Sequence, residues 1–153
     1  MWSRYFSDSH RSRSGFRSDI NRSSRGIKMK ELQNEINVFL NKRKWHGLTA
    51  THDTLLNIVE EVGELWNCFK YIGNDEKEME KVIKNHYREV EDQIGDIGWL
   101  LLKLCGNFNI DLKEATWKTH KEYEKRFPLE KSKGKHANLK AGGIDLKYGK
   151  KNK

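Results

Sequence analysis

Asp53 to Tyr71 reads DTLLNIVEEVGELWNCFKY. Leu55, Val59, Val62, Trp66 and Phe69 recur every three or four residues, the period of an α-helix with one apolar stripe. Inside it stands Glu61-Val62-Gly63-Glu64, echoed downstream by Gln93-Ile94-Gly95-Asp96. Carboxylates three residues apart share a helix face. Two such faces brought together predict an acidic pocket of Glu61, Glu64 and Asp96, suited to a hard divalent cation with oxygen ligands. Gln93 is the irregular member. Its amide oxygen can coordinate a metal, but as a neutral ligand.

Outward from this stretch the pattern stays helical. Lys30 to Lys44 is predicted as a first helix, with Leu32, Ile36, Phe39 and Leu40 as its apolar stripe. A loop from Trp45 to His52 precedes the helix over Asp53 to Tyr71, and Gly73-Asn74 ends that helix. Asp75 and Glu78 resemble a capping box opening a third helix to Cys105, stopped by Gly106-Asn107. Asp111 and Glu114 open a fourth, reaching Lys125. The single proline is Pro128, and no β-type alternation occurs, so the chain is expected to be all-α. Gly63 and Gly95 each cost a helix about 1 kcal/mol against Ala. Their equivalent placement predicts either a close approach of two helices or two tolerated packing glycines.

The 153 residues suit one domain with tails. The net charge of +8 is unevenly spread. Residues 1–30 and 129–153 each carry eight Lys/Arg and two Asp/Glu, whereas residues 31–128 carry 14 and 18. The basic ends suit an anionic polymer, and the acidic middle is no phosphate-backbone surface. We divide the chain into a disordered Ser/Arg-rich tail (1–28), a helical domain (29–128) and a flexible Lys/Gly-rich tail (129–153). Met29 is an alternative start. Cys68 and Cys105 form no CxxC motif and suit a reducing, cytoplasmic location. The first tail resembles an organellar transit peptide in Arg and Ser content, although Asp8 and Asp19 count against it. The apolar run from Ile97 to Leu102 is too short to span a bilayer. His46, His52, His86 and His120 lack metal-ligand spacing and are read as surface residues.

Glu60-Glu61-Val62-Gly63-Glu64, with Gln93-Ile94-Gly95-Asp96, resembles the EExxE and ExxD motifs of the MazG-like and dCTP pyrophosphatase family of all-α nucleoside triphosphate pyrophosphohydrolases. Lys42-Arg43-Lys44-Trp45, Asn109-Ile110-Asp111-Leu112-Lys113-Glu114-Ala115 and Lys125-Arg126-Phe127-Pro128 are similar to further family segments, in the family's order. The resemblance covers Leu32 to Pro128. It implies a four-helix bundle and Mg²⁺ (or Mn²⁺) as cofactor, and the apolar face that a four-helix unit of this size leaves predicts a homodimer or homotetramer. It implies hydrolysis of a nucleoside triphosphate to a monophosphate and pyrophosphate.

Carried over by position, Glu61, Glu64, Gln93 and Asp96 would hold metal, and Glu60 would be a further ligand or orient water. Trp45 and Tyr71 would enclose the base, and Tyr123 and Arg126 would contact phosphate or base. The bland alternatives are a core staple for Trp45, a helix-end aromatic packed on the core for Tyr71 and a solvated helix end for Tyr123. Gln93 stands where the family has Glu, which leaves fewer metals, slower turnover or lost catalysis. A second reading is a catalytically impaired helical module that binds nucleic acid or an acidic partner through the basic tails. A third is hydrolysis of another phosphorylated metabolite, as in the phosphoribosyl-ATP pyrophosphohydrolases.

Overall fold

The computed structural model describes residues 26–73, 75–135 and 143–145. The tail over 1–28 therefore lies almost wholly outside the described residues. The described chain is all-helical. Helix α1 spans Met29–Arg43, a short 3-10 turn covers Leu48–Ala50, and α2 spans Thr51–Phe69. Helix α3 is Glu76–Asn85, α4 is Tyr87–Asn107, α5 is Leu112–Arg126, and a single turn, α6, covers Leu129–Ser132.

Local chemistry sets most of these ends. Lys44 takes the left-handed conformation (φ 56°) that closes α1, and the Trp45 N–H reaches back to the Leu40 carbonyl at 3.0 Å. Asp75 and Asp111 accept hydrogen bonds from the Glu78 and Glu114 N–H groups at 3.0 and 3.1 Å, so the expected caps of α3 and α5 form. Thr54 is completely buried and donates to the Ala50 carbonyl at 2.7 Å, which fixes the entry of α2.

One boundary differs. The segment expected to run unbroken from Asp75 to Cys105 is two helices parted at His86 (φ −115°, ψ 22°). The His86 N–H closes α3 on the Val82 carbonyl at 2.8 Å, and its ring lies 2.6 Å from Glu89 in the first turn of α4. His86 serves as both the end of one helix and the start of the next. No Gly or Pro marks the break.

Helices α2 and α4 pack on each other antiparallel. Glu64 meets Gln93 near one end, while Thr51 meets Asn107 near the other. The core lies on the opposite side of α4, where Ile36 and Leu40 of α1 meet Leu102, with Trp99 and Leu112 against them. Gln33 ties α1 to the start of α5: its amide donates to the Ile110 carbonyl at 2.7 Å and accepts the Leu112 N–H at 3.2 Å.

The apolar stripes are only partly inside. Ile36 and Leu40 are buried as expected, but Leu32 and Phe39 stay at the rim. On α2 the residues turned inward are Thr54, Ile58, Glu61 and Leu65, whereas Leu55, Val59, Val62 and Trp66 are exposed. The seam on α4 runs through Val90, Gln93, Ile97 and Leu100, and Ile94 and Leu101 are exposed beside it. On α2 the residue after each seam position is apolar (Leu55, Val59, Val62, Trp66), as are those after Gln93 and Leu100 on α4 (Ile94, Leu101). The residue before a seam position is acidic at Glu60, Glu64, Asp92 and Asp96. Antiparallel helices are related by a twofold axis across their seam. Both apolar flanks therefore fall on one side of the pair and both acidic flanks on the other.

Gly63 and Gly95 do not mark a close approach, because a Cβ at either would meet open space. The close approach is at Gly106, where a Cβ would collide with the Asn37 Oδ1 of α1. Among the described residues, no helix is long and apolar enough to cross a membrane.

Candidate functional site

The acidic side of the α2–α4 pair gathers Glu60, Glu61, Glu64, Asp92 and Asp96. Glu61 is half-buried in the seam. Burial first, then the charges of Asp96, Glu64, Glu60 and Asp92, push its carboxyl above its ordinary value. Asp96 is raised likewise, by burial and then by Asp92 and Glu64. These groups repel one another and would hold a cation between them. They are not drawn into a closed cage: among the described residues, no three Asp, Glu, His or Cys side chains form a group that could hold a metal ion as they stand.

Gln93 sits where the two acidic echoes meet. Its Nε2 donates to Glu64 Oε2 at 2.9 Å, across the seam. Its Oε1 is buried and has no hydrogen-bond partner. The orphaned amide oxygen and the carboxylates of this flank are all oxygen donors, so the set fits magnesium in kind.

The other expected residues are spread out. Trp45 is 56% exposed, edge-on to Phe39 at 6.2 Å between centroids, and Phe39 is edge-on to Trp99 at 6.0 Å. Trp45 thus caps an aromatic cluster and still presents ring surface. Tyr71 is 88% exposed with the Lys70 amine 4.8 Å above its ring, and it is not packed on the core. Tyr123 is exposed and edge-on to Phe127 at 5.7 Å, with the Arg126 guanidinium 5.2 Å from its ring. Arg126 is held in a fork by Asp145, at 3.2 Å through Nε and 2.5 Å through Nη2, and has Glu122 at 3.7 Å. The described histidines His46, His52, His86 and His120 are all exposed.

Three features escaped sequence reasoning: the Asp145 fork, the His86 break, and a polar pocket at the far end of α4. That pocket, of about 240 Å³, is lined by Asn37, Asn41, His46, Gly47, Gly106 and Asn107. The only trace of it in the sequence is the clustering of Asn at positions 37, 41 and 107.

Fold and site together define an all-helical protein with an acidic, oxygen-rich flank on an antiparallel helix pair. Among solved structures, the chain is similar to a pyrophosphatase from Archaeoglobus fulgidus DSM 4304, with a TM-score of 0.57 and 28% identity. The match covers 65% of this chain and 92% of that one. No family model matches the sequence. No curated protein matches it.

Proposed function

We propose that the protein is a Mg²⁺-dependent nucleoside triphosphate pyrophosphohydrolase, releasing pyrophosphate from an NTP or dNTP. The observation that carries this reading is the gathering of Glu60, Glu61, Glu64, Asp92 and Asp96 on one flank of the helix pair, where their charges act on one another, with Gln93 hydrogen-bonded to Glu64 and its own Oε1 left without a partner. The likeness to a pyrophosphatase supports it at the level of the phosphoanhydride chemistry. Glu61, Glu64, Asp96 and the Gln93 Oε1 would hold the cation. When bound, the cation (Mg²⁺, or Mn²⁺ in its place) neutralises phosphate charge and favours ionisation of water. Glu60, on the same flank, orients or deprotonates the attacking water. That water adds across the α–β phosphoanhydride, its oxygen ending on one phosphoryl group as the bridging P–O bond breaks. The products are a nucleoside monophosphate and pyrophosphate.

A triphosphate is repelled by five nearby carboxylates, so binding without a divalent cation is disfavoured. The test is to incubate the full chain with each NTP and dNTP, with Mg²⁺ and with chelator, and to assay pyrophosphate. Release with at least one nucleotide, abolished by chelator, is the expected result. Failure with every nucleotide, in wild type and in Gln93→Glu alike, ends the enzyme reading.

The exposed apolar side of the α2–α4 pair supports a homodimer, or a tetramer built from it, in which a second copy covers Val59, Val62, Trp66 and Ile94. One observation favours the impaired alternative: Glu64 is engaged by a neutral amide where a fourth carboxylate would strengthen a metal site. In that case the fold would serve binding, of nucleic acid or an acidic partner, through its basic ends.

A further inference from the structure

The pocket at the far end of α4 holds two amides that the fold leaves idle. Asn107 is committed: its Oδ1 accepts the Gly47 N–H at 3.1 Å, and its Nδ2 lies 3.5 Å from Thr51 Oγ1. The Asn37 and Asn41 side chains, from successive turns of α1, make no hydrogen bond to another described residue. They line the same cavity as the His46 ring. Each amide offers two donors and one acceptor oxygen. Gly106 forms the wall against Asn37, and any larger residue there would push that amide aside. The volume of about 240 Å³ is below the roughly 300–1,000 Å³ of a drug-sized ligand site and suits one ring system.

The pocket also lies in line with the acidic flank. Gln93, Asp96, Lys103 and Asn107 fall at i, i+3, i+10 and i+14, a spacing that returns to one edge of α4. Asp96 and Asn107 are eleven residues apart, so about 16 Å separates them along the helix. Between them stands Lys103, its amine 6.0 Å from the Trp99 ring. Along the edge, the order is acidic oxygens, a cation and idle amides. A nucleoside triphosphate has the matching order of charged phosphates, sugar and heterocyclic base.

We propose that this pocket recognises the base, with Asn37 and Asn41 hydrogen-bonding an edge that carries a donor and an acceptor side by side. Amides match such an edge bidentately, as they do adenine N6 and N7. The proposal rests on the nucleotide reading above and adds where, and by which groups, the base is chosen. Asn41 is exposed in the last turn of α1, a helical position where Ala is well tolerated, so its removal does not threaten the fold.

The experiment separates the pocket from the catalysis. Nucleosides without phosphate (adenosine, cytidine, guanosine, uridine and their deoxy forms) are titrated into the full chain in chelator, and backbone amide shifts are followed. One or more nucleosides should shift Asn41, Gly47, Gly106 and Asn107. Asn41→Ala should weaken the best binder about tenfold with an unchanged melting temperature. Gly106→Ala should weaken it as well, although it adds only a methyl group behind Asn37. The proposal is overturned if no nucleoside moves these amides. It is equally overturned if an Asn37→Ala/Asn41→Ala double variant that melts normally binds as tightly as wild type. Nucleoside binding, where neither wild type nor Gln93→Glu releases pyrophosphate from any nucleotide, upholds the pocket while ending the hydrolase reading.

Discussion

Gln93 reaches across the α2–α4 seam to donate a hydrogen bond to Glu64 at 2.9 Å, and so uses a neutral amide to quiet one of five crowded carboxylates. Gln93→Glu removes that donor and adds a charge. Without divalent cation the variant is expected to melt several degrees lower, from like charges in a half-buried seam. With Mg²⁺ the order should reverse, because the fourth carboxylate completes a stronger donor set. Pyrophosphate release should rise about tenfold or more. Melting curves with and without Mg²⁺ decide it, and a variant that Mg²⁺ does not rescue would speak against a metal at this seam.

The raised carboxyls fix the sign of a pH effect. Glu61 and Asp96 hold their protons to higher pH in the folded chain than in the unfolded one, whose ordinary values are 4.5 and 3.8. The folded state therefore binds more protons in the window above those values, and stability contributed by these two groups falls as pH rises through it. Asp96→Asn should remove part of this repulsion. In chelator at neutral pH it is expected to melt higher than wild type by a few degrees, with a flatter pH dependence above pH 4. The same change should cost at least 100-fold in pyrophosphate release, as loss of a metal ligand would. Lower stability in chelator would mean that Asp96 is held by a partner rather than by repulsion.

How legible was this in the sequence? The caps at Asp75 and Asp111 were, because a capping box is chemistry within four residues. The seam was not. Hydropathy points to Leu55, Val59, Val62 and Trp66 as the buried face, yet the chain turns Thr54, Ile58, Glu61 and Leu65 inward. Two stripes lie side by side on α2. Periodicity cannot say which one meets α4 and which is left for something outside the chain. The acidic echo at Glu61 and Asp96 was legible because both stretches are local. Asn37 against Gly106 was not, since only the tertiary fold brings them together.

The exposed apolar side of the pair yields its own test. Val59 is 69% and Trp66 63% exposed on α2, and Ile94 is 57% exposed on α4. Soluble monomers seldom leave so long a stripe uncovered. Wild type should sediment as a dimer or tetramer, and Val59→Lys with Ile94→Lys should shift it toward monomer while helical content is retained. A wild type that sediments as a monomer at high concentration would exclude self-association through this face.

Asp145 brings a residue of the Lys/Gly-rich segment back onto α5, where it is nearly buried against the Arg126 fork. Truncating that carboxylate leaves Arg126, itself mostly buried, with one partner fewer. Asp145→Ala is expected to cost about 1–3 kcal/mol of stability by denaturant titration. Asp145→Glu should recover part of it. If Asp145→Ala melts like wild type, the ion pair contributes nothing to the fold.

The glycines supply the sharpest contrast. Gly63 and Gly95 are in helices, at ordinary dihedral angles, and a Cβ at either meets nothing. Each Gly→Ala change should therefore stabilise the chain by about 0.5–1 kcal/mol through reduced freedom of the unfolded state. Gly106→Ala should gain less, because its methyl would have to displace the Asn37 side-chain amide. Denaturant titration of the three variants side by side reads the difference in one experiment. If Gly63→Ala and Gly95→Ala destabilise instead, something outside the single chain packs on those faces. The acidic echoes would then lie close to an assembly interface, and the conformational cost of two helical glycines would be explained by contact with a second copy.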